Sequence, residues 1–161
     1  MNKRLWLYSG GIIILILDQL LKWLAIDFVS KGGFFIWKIS WVYSGQIFEF
    51  GFYKNEGIAF GIRIPLEVFY VLVAVIVFFI FEKFKKEIKK KNLLVLTSLV
   101  LISSGAISNI IDRIIRGYVV DYLLFFDISA INLADVVIVV GIGLLIAKEL
   151  SLIDKFKRIK N

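Results

Sequence analysis

Cysteine and histidine are both absent from these 161 residues, which narrows the available chemistry at once. No disulfide can form, and thiolate nucleophiles, imidazole bases and the usual zinc sites are excluded. Proline occurs once, and Pro65 sits where a first helical turn tolerates it. Acidic residues are the minority charge, 13 against 20 basic, for a net charge of +7. Such a balance can mark a nucleic-acid binder, but here the basic residues crowd the short connections between apolar runs, the usual mark of membrane orientation. No nucleic acid partner is expected. Nothing in the composition points to a metal or organic cofactor.

What is abundant is apolar: 60% of the chain is hydrophobic and the mean hydropathy is +0.87, beyond the roughly 45–50% apolar content of a soluble domain. Four stretches are candidates to cross a bilayer, which takes about 20 mostly apolar residues. They are residues 5–28, 66–81, 93–115 and 132–150. The first is read as a retained span, because it carries Asp18 and Lys22 and has no small-x-small exit before Ser30. Basic residues orient the bundle. Lys3 and Arg4, the run Lys83, Lys85, Lys86, Lys89, Lys90 and Lys91, and the group Lys148, Lys155, Lys157, Arg158 and Lys160 would face the cytoplasm. Both termini are then inside, and Trp23, Trp37 and Trp41 fall near the outer interface. Residues 29–64 are too broken by glycine and charge to span. Aromatic pieces such as Phe34 to Ile39 and Gln46 to Phe50 favour strands there. The expectation is one all-α integral membrane domain over residues 1–161, with four transmembrane helices and a small extracytoplasmic β-rich insertion between the first two.

In that topology the polar residues converge at one depth. Asp18 and Lys22, on one face at i,i+4 spacing, lie in the outer half of the first span. Ser104, Ser108, Asn109, Asp112 and Arg113 are confined to the last three turns of the third. Asn132 and Asp135 open the fourth, and Asp121 lies in the outer link before it. Carboxylates at membrane depth are expensive and usually functional. Each group also has a plain structural explanation. Asp18 with Lys22 is a packing ion pair, Asn132-x-x-Asp135 a helix cap, and Asp112-Arg113 an interfacial pair. Gly105-Ala106 marks close helix packing, and Asn55-Glu56-Gly57 reads as a turn, with Gly51 and Gly57 as candidate bends. Taken together, their clustering on one side favours a site.

These segments resemble the lipoprotein signal peptidases (signal peptidase II). Asp18-Gln19-Leu20-Leu21-Lys22 is similar to the family's D-Q-x-x-K motif, and Asn55-Glu56-Gly57-Ile58-Ala59-Phe60 to its N-x-G-x-[AS]-F segment. The block from Gly105 to Arg113 resembles G-[AG]-x-x-N-x-x-D-R. Val119-Val120-Asp121-Tyr122 and Asn132-Leu133-Ala134-Asp135 resemble the segments bearing the catalytic aspartates. Departures are Tyr122 where Phe is usual, Ile131 for the Phe before Asn, and a shorter link between the two aspartates, without its usual Trp and Phe-Pro. The resemblance implies Asp121 and Asp135 as a catalytic dyad. It also implies a supporting pocket of Asp18, Lys22, Asn55, Gly57, Asn109, Asp112, Arg113, Asn132 and Ala134. The implied enzyme is an aspartic endopeptidase of the bacterial inner membrane. It works as a monomer among membrane lipids and cuts diacylglyceryl-modified prolipoproteins before the lipidated cysteine, at the extracytoplasmic face.

Three other readings make distinct expectations. A proton- or ion-coupled carrier needs acidic groups at several depths. A Ser/Lys peptidase would use Ser104 or Ser108 with Lys22. A structural subunit would survive loss of both aspartates.

Overall fold

A computed structural model describes residues 3–31, 38–41, 45–57, 65–90, 92–125 and 128–160. In chain order the elements are α1 (Lys3–Ser30), β1 (Lys38–Trp41), β2 (Gly45–Asn55), α2 (Leu66–Lys90), α3 (Leu93–Arg116), β3 (Val119–Phe125), β4 (Ser129–Ile131) and α4 (Leu133–Lys160). The expected strand pieces are present at Lys38–Trp41 and within β2; residues 34–37 and Ile58 to Phe60 lie outside the described residues.

Local chemistry sets the ends of α3. Asn92 caps its N-terminus, its side-chain oxygen accepting from the Val95 amide. Gly117 stops the helix in the left-handed region at φ 79°, with its N–H donating to the Arg113 carbonyl, a conformation that glycine adopts without a Cβ penalty. The second helix runs nine residues past the stretch expected to span, through Lys90. Lysine and glutamate are good helix formers, and the i,i+3 pairs Glu82–Lys85 and Glu87–Lys90 brace the extension. The basic run is therefore the end of a helix rather than a loop, and α4 likewise continues to Lys160.

The link between the third and fourth helices corrects the sequence reading more strongly. It is a β-hairpin, not a plain loop. β3 and β4 pair antiparallel, β3 pairs with β2, and β2 with β1, giving one four-stranded sheet in the order β1-β2-β3-β4. Val119-Val120-Asp121-Tyr122-Leu123-Leu124-Phe125 is β-branched and aromatic enough for a strand, and the single aspartate masked that pattern. The insertion and the link thus build one sheet. Between Phe50 and Tyr53 the β2–β3 register shifts, with Gly51 at the irregularity; beyond it Tyr53 pairs with Asp121 and Asn55 with Val119.

Helix α3 is the hub. Its Leu96, Leu99, Ser98 and Ser108 are fully or almost fully buried, and it packs closely on α4. A Cβ on Gly105 would overlap the Ala134 carbonyl oxygen, and one on Gly141 would lie 2.8 Å from the Ser98 carbonyl. Glycines at these crossings let the backbones meet, as the Gly105-Ala106 pair led one to expect. Among the described residues, Leu93–Arg116 is the helix long and apolar enough to cross a membrane by length and composition. The other helices present large apolar side chains outward, including Ile12, Ile16 and Leu20 on α1, Val71, Phe78 and Phe79 on α2, and Val139 and Ile146 on α4.

Candidate active site

Two linked clusters fill the space where α1, α3, α4 and the sheet meet. The first centres on Lys22. Its ammonium lies 2.8 Å from Asp18 Oδ2 and 2.9 Å from Asp112 Oδ2, and all three side chains have 0% exposure. It also donates to Asn109 Oδ1 at 2.9 Å. Buried charges persist only when paired and hydrogen-bonded, and every oxygen here is used. Asp112 is further held by Arg116, by Gln19 at 3.1 Å and by the Val120 amide at 3.1 Å. Arg116, one turn along α3, is the arginine that pairs with Asp112. Arg113 instead donates to the Gly57 carbonyl at 2.8 Å and to the Asn109 carbonyl, because neighbours on a helix point to different sides.

Asp18 does more than pair with Lys22. Its Oδ1 accepts from the Ala134 amide at 3.2 Å and from the Tyr122 hydroxyl at 2.9 Å, while Oδ2 accepts from Ser108 Oγ at 2.6 Å. A carboxylate on α1 thereby satisfies an otherwise orphaned N–H in the first turn of α4, where negative charge is favoured.

The second cluster holds Asp121 and Asp135. Asn132 and Asp135 form a reciprocal cap: the Asp135 amide donates to Asn132 Oδ1 at 2.9 Å, and the Asn132 amide to Asp135 Oδ2 at 3.3 Å, the geometry of a capping box. The cap explanation is therefore correct. It is also incomplete, since the Asn132 side-chain amide donates outward to Asp121 Oδ1 at 2.7 Å, to the Val120 carbonyl and to Asn109 Oδ1. Asn109 passes its own amide to Asp135 Oδ1 at 2.8 Å. From the end of β2, Asn55 donates to Asp121 Oδ2 at 2.9 Å, its own oxygen turned back to the Gly57 amide at 3.0 Å. This is the turn expected at Asn55-Glu56-Gly57, and it leaves the Gly57 carbonyl facing Arg113.

Each oxygen of the two carboxylates accepts one side-chain or backbone N–H, and a carboxylate oxygen has capacity for about two. Among the described residues nothing further donates to these oxygens, which leaves lone pairs for a proton or a water. Burial, with a smaller contribution from the charge of Asp135, raises the Asp121 pKa to about 6 against the opposing hydrogen bonds from Asn55 and Asn132. Tyr122 is pushed the other way from ionisation: burial and the Asp18 carboxylate raise it, so its hydroxyl stays a donor.

The structure thus gathers Asp18, Lys22, Asn55, Gly57, Asn109, Asp112, Arg113, Asn132, Ala134, Asp121 and Asp135 into one continuous network. It adds Gln19, Ser108, Arg116 and Tyr122. Gln19 occupies a fixed position of the D-Q-x-x-K motif, which was the signal that could have named it, whereas Arg116, just past the third segment, is a helix-end arginine with no sequence signal of its own. The hydroxyl of Tyr122 could be anticipated only by knowing what lies across from it.

The fold of this chain is already seen in two solved structures of a bacterial membrane enzyme. They superpose with TM-scores of 0.66 and 0.65, at 23% identity in each case, covering 88% and 87% of this chain and 85% and 89% of those chains. Residues 11–151 match the family described as signal peptidase (SPase) II, and the chain belongs to that family. Similar relatives include the lipoprotein signal peptidase of Halalkalibacterium halodurans, 34% identical over 96% of this chain and 97% of that protein. Those of Shouchella clausii and Fusobacterium nucleatum are 36% and 34% identical, over 85% and 92% of this chain and 87% and 88% of theirs. The protein is accordingly a peptidase of the signal peptidase II family.

Proposed function

We propose that this protein is an aspartic endopeptidase that removes signal peptides from diacylglyceryl-modified prolipoproteins, cutting just before the lipidated cysteine, with Asp121 and Asp135 as the catalytic pair. The observation that carries the reading is the sharing of Asn132 by both carboxylates, from its side-chain amide to one and its backbone amide to the other. Charge balance supports a single shared proton. Among the described residues the network holds four carboxylates, Asp18, Asp112, Asp121 and Asp135, against three cations, Lys22, Arg113 and Arg116. One proton between Asp121 and Asp135 makes the whole neutral, which a buried site strongly favours.

In the proposed reaction the ionised member of the pair takes a proton from water as the water oxygen bonds to the scissile carbonyl carbon. The protonated member donates to the carbonyl oxygen. Collapse of the tetrahedral adduct breaks the C–N bond, and the leaving nitrogen receives a proton from the pair. Asn55, Asn109 and Asn132 hold the carboxylates, and Arg113 fixes the Gly57 backbone beside them. The Ser/Lys alternative is disfavoured by geometry. Ser108 Oγ is 2.6 Å from Asp18, and Lys22 is ion-paired to two carboxylates, so it has no free lone pair to act as a base.

The same reading places four helices across the inner membrane, both termini in the cytoplasm and the site at the extracytoplasmic rim. The outward apolar side chains of α1, α2 and α4 support it. A substrate whose cysteine carries two acyl chains is held at that rim at about 0.8 kcal/mol per buried CH₂, which fixes the depth of its scissile bond. One chain supplies every group named, so a monomer suffices. The test is to incubate purified protein with lipidated and unlipidated precursor, alongside the Asp121→Asn and Asp135→Asn variants. Cleavage of the lipidated form alone, lost in both variants, is the expected result; activity surviving either substitution sinks the dyad.

A further inference from the structure

Asp121 and Asp135 sit on different elements, β3 and α4, so something must set the spacing between them. Pairing of β3 with β4 begins only at Leu123–Ile131, past Asp121. Between that pairing and the helix, two side chains cross the gap. One is Asn132, already part of the carboxylate network. The other is Tyr122, next to Asp121 and pointing to the opposite face of the strand, as alternation requires. Its side chain is 1% exposed. Its hydroxyl accepts from the amide of Leu133, the first residue of α4, at 2.9 Å, and donates to Asp18 at 2.9 Å. Asp18 in turn accepts from the Ala134 amide, so the hydroxyl and the carboxylate together grip the two residues before Asp135. The ring packs against Phe50, at 5.5 Å between centroids, which holds the strand end of the link.

We infer that Tyr122 is a positioning residue for the proposed reaction: through Leu133 and Asp18 it acts as a strut fixing the distance from the Asp121 strand to the Asp135 helix. This rests on the dyad reading. The strut is rigid because an aromatic ring has few rotatable bonds, and it is permanent because Tyr122 does not ionise near neutral pH. The charges that act on its hydroxyl are Asp18, which accepts from it, and Asp135; Lys22 of α1 and Asp112, Arg113 and Arg116 of α3 belong to the surrounding network through other contacts. Within that network only the dyad is without a dedicated counter-charge for each member.

Tyr122→Phe removes the hydroxyl and keeps the ring. It leaves the Leu133 amide without its partner and lets the two carboxylates drift apart. Their mutual repulsion weakens, so the high-pH limb of the cleavage profile moves to lower pH. A hydrogen bond that organises charged groups is worth roughly a tenfold effect, and kcat is expected to fall by about that factor with KM changed less than about twofold. Amide hydrogen exchange at Leu133 should accelerate in the variant. An unmoved pH profile, even with a lowered kcat, overturns the inference, as does a Tyr122→Phe chain that does not fold, since the hydroxyl would then be a plain structural bond. Asp121→Asn and Asp135→Asn run in parallel separate the two failures. If they retain activity the dyad is wrong; if they are inactive while Tyr122→Phe matches the parent, only the strut is wrong.

Discussion

Asn55 shows how one side chain can tune a neighbour's proton. It reaches Asp121 from a different strand, and its hydrogen bond favours the charged form of a carboxyl that burial holds at about pH 6. The sign follows directly. With Asp121 and Asp135 as the proposed dyad, their shared proton is held below about 6 and lost as pH rises through that value, so kcat/KM should decline on its alkaline side there. Asn55→Ala withdraws support from the ionised form, raises the Asp121 pKa further and moves that limb to higher pH, the direction opposite to Tyr122→Phe. A pH series on purified Asn55→Ala checks it; a limb displaced toward acid would contradict the assignment of Asn55. At this scale the residues named from sequence motifs converge, but their partners were not all foreseen. Arg113 was an obvious candidate to hold Asp112, yet the helical turn hands that task to Arg116. Tyr122 stood out only as a departure from the family pattern, because a hydroxyl has no meaning in sequence until its acceptor and donor are known.

Elements meet most tightly where α3 crosses α4. Gly105 faces the carbonyl of Ala134, backbone against backbone, and neither side has a flexible group that could yield. Gly105→Ala must therefore push the first turn of α4 away from α3. Because Asp135 lies in that turn and Asn109 binds it from α3, one methyl group should lower both stability and cleavage. We expect a destabilisation of about 1–3 kcal/mol, as for overpacking in cores, and a loss of activity larger than the loss of folded protein accounts for. Thermal unfolding in detergent compared with the specific activity of the folded fraction measures both, whereas Gly10→Ala, where nothing lies within 4 Å, should be silent. The helices were legible from apolar runs and caps. The hairpin of β3 and β4 was not, since a strand buried on both faces shows no alternation and Asp121 drew it toward a loop reading. The α2 extension was missed for a related reason: the charge run that marks a membrane boundary also makes good helix, and hydropathy sees only the first property.

For the molecule as a whole, the absence of cysteine makes topology directly measurable. Ile128, at the turn between β3 and β4, is 87% exposed, and Lys85 near the end of α2 is also exposed. In cells, Ile128→Cys should react with a membrane-impermeant maleimide added outside, and Lys85→Cys only after permeabilisation. Reaction of both from the same side would contradict the proposed placement of the sheet opposite the basic helix ends.

The acid–base spacing bears on how the helices could enter a bilayer in the proposed topology. Asp18 and Lys22 lie four residues apart on α1, and Asp112 and Arg116 four apart on α3. A lone ionised side chain costs a nascent helix about 2.5–3.5 kcal/mol at mid-bilayer. In the proposed topology each of these two carboxylates comes with a counter-ion one turn along its own helix, so neither depends on a neighbouring helix for compensation. The Lys22–Asp112 contact that joins the helices is thus made between two pairs that are each already compensated within one helix.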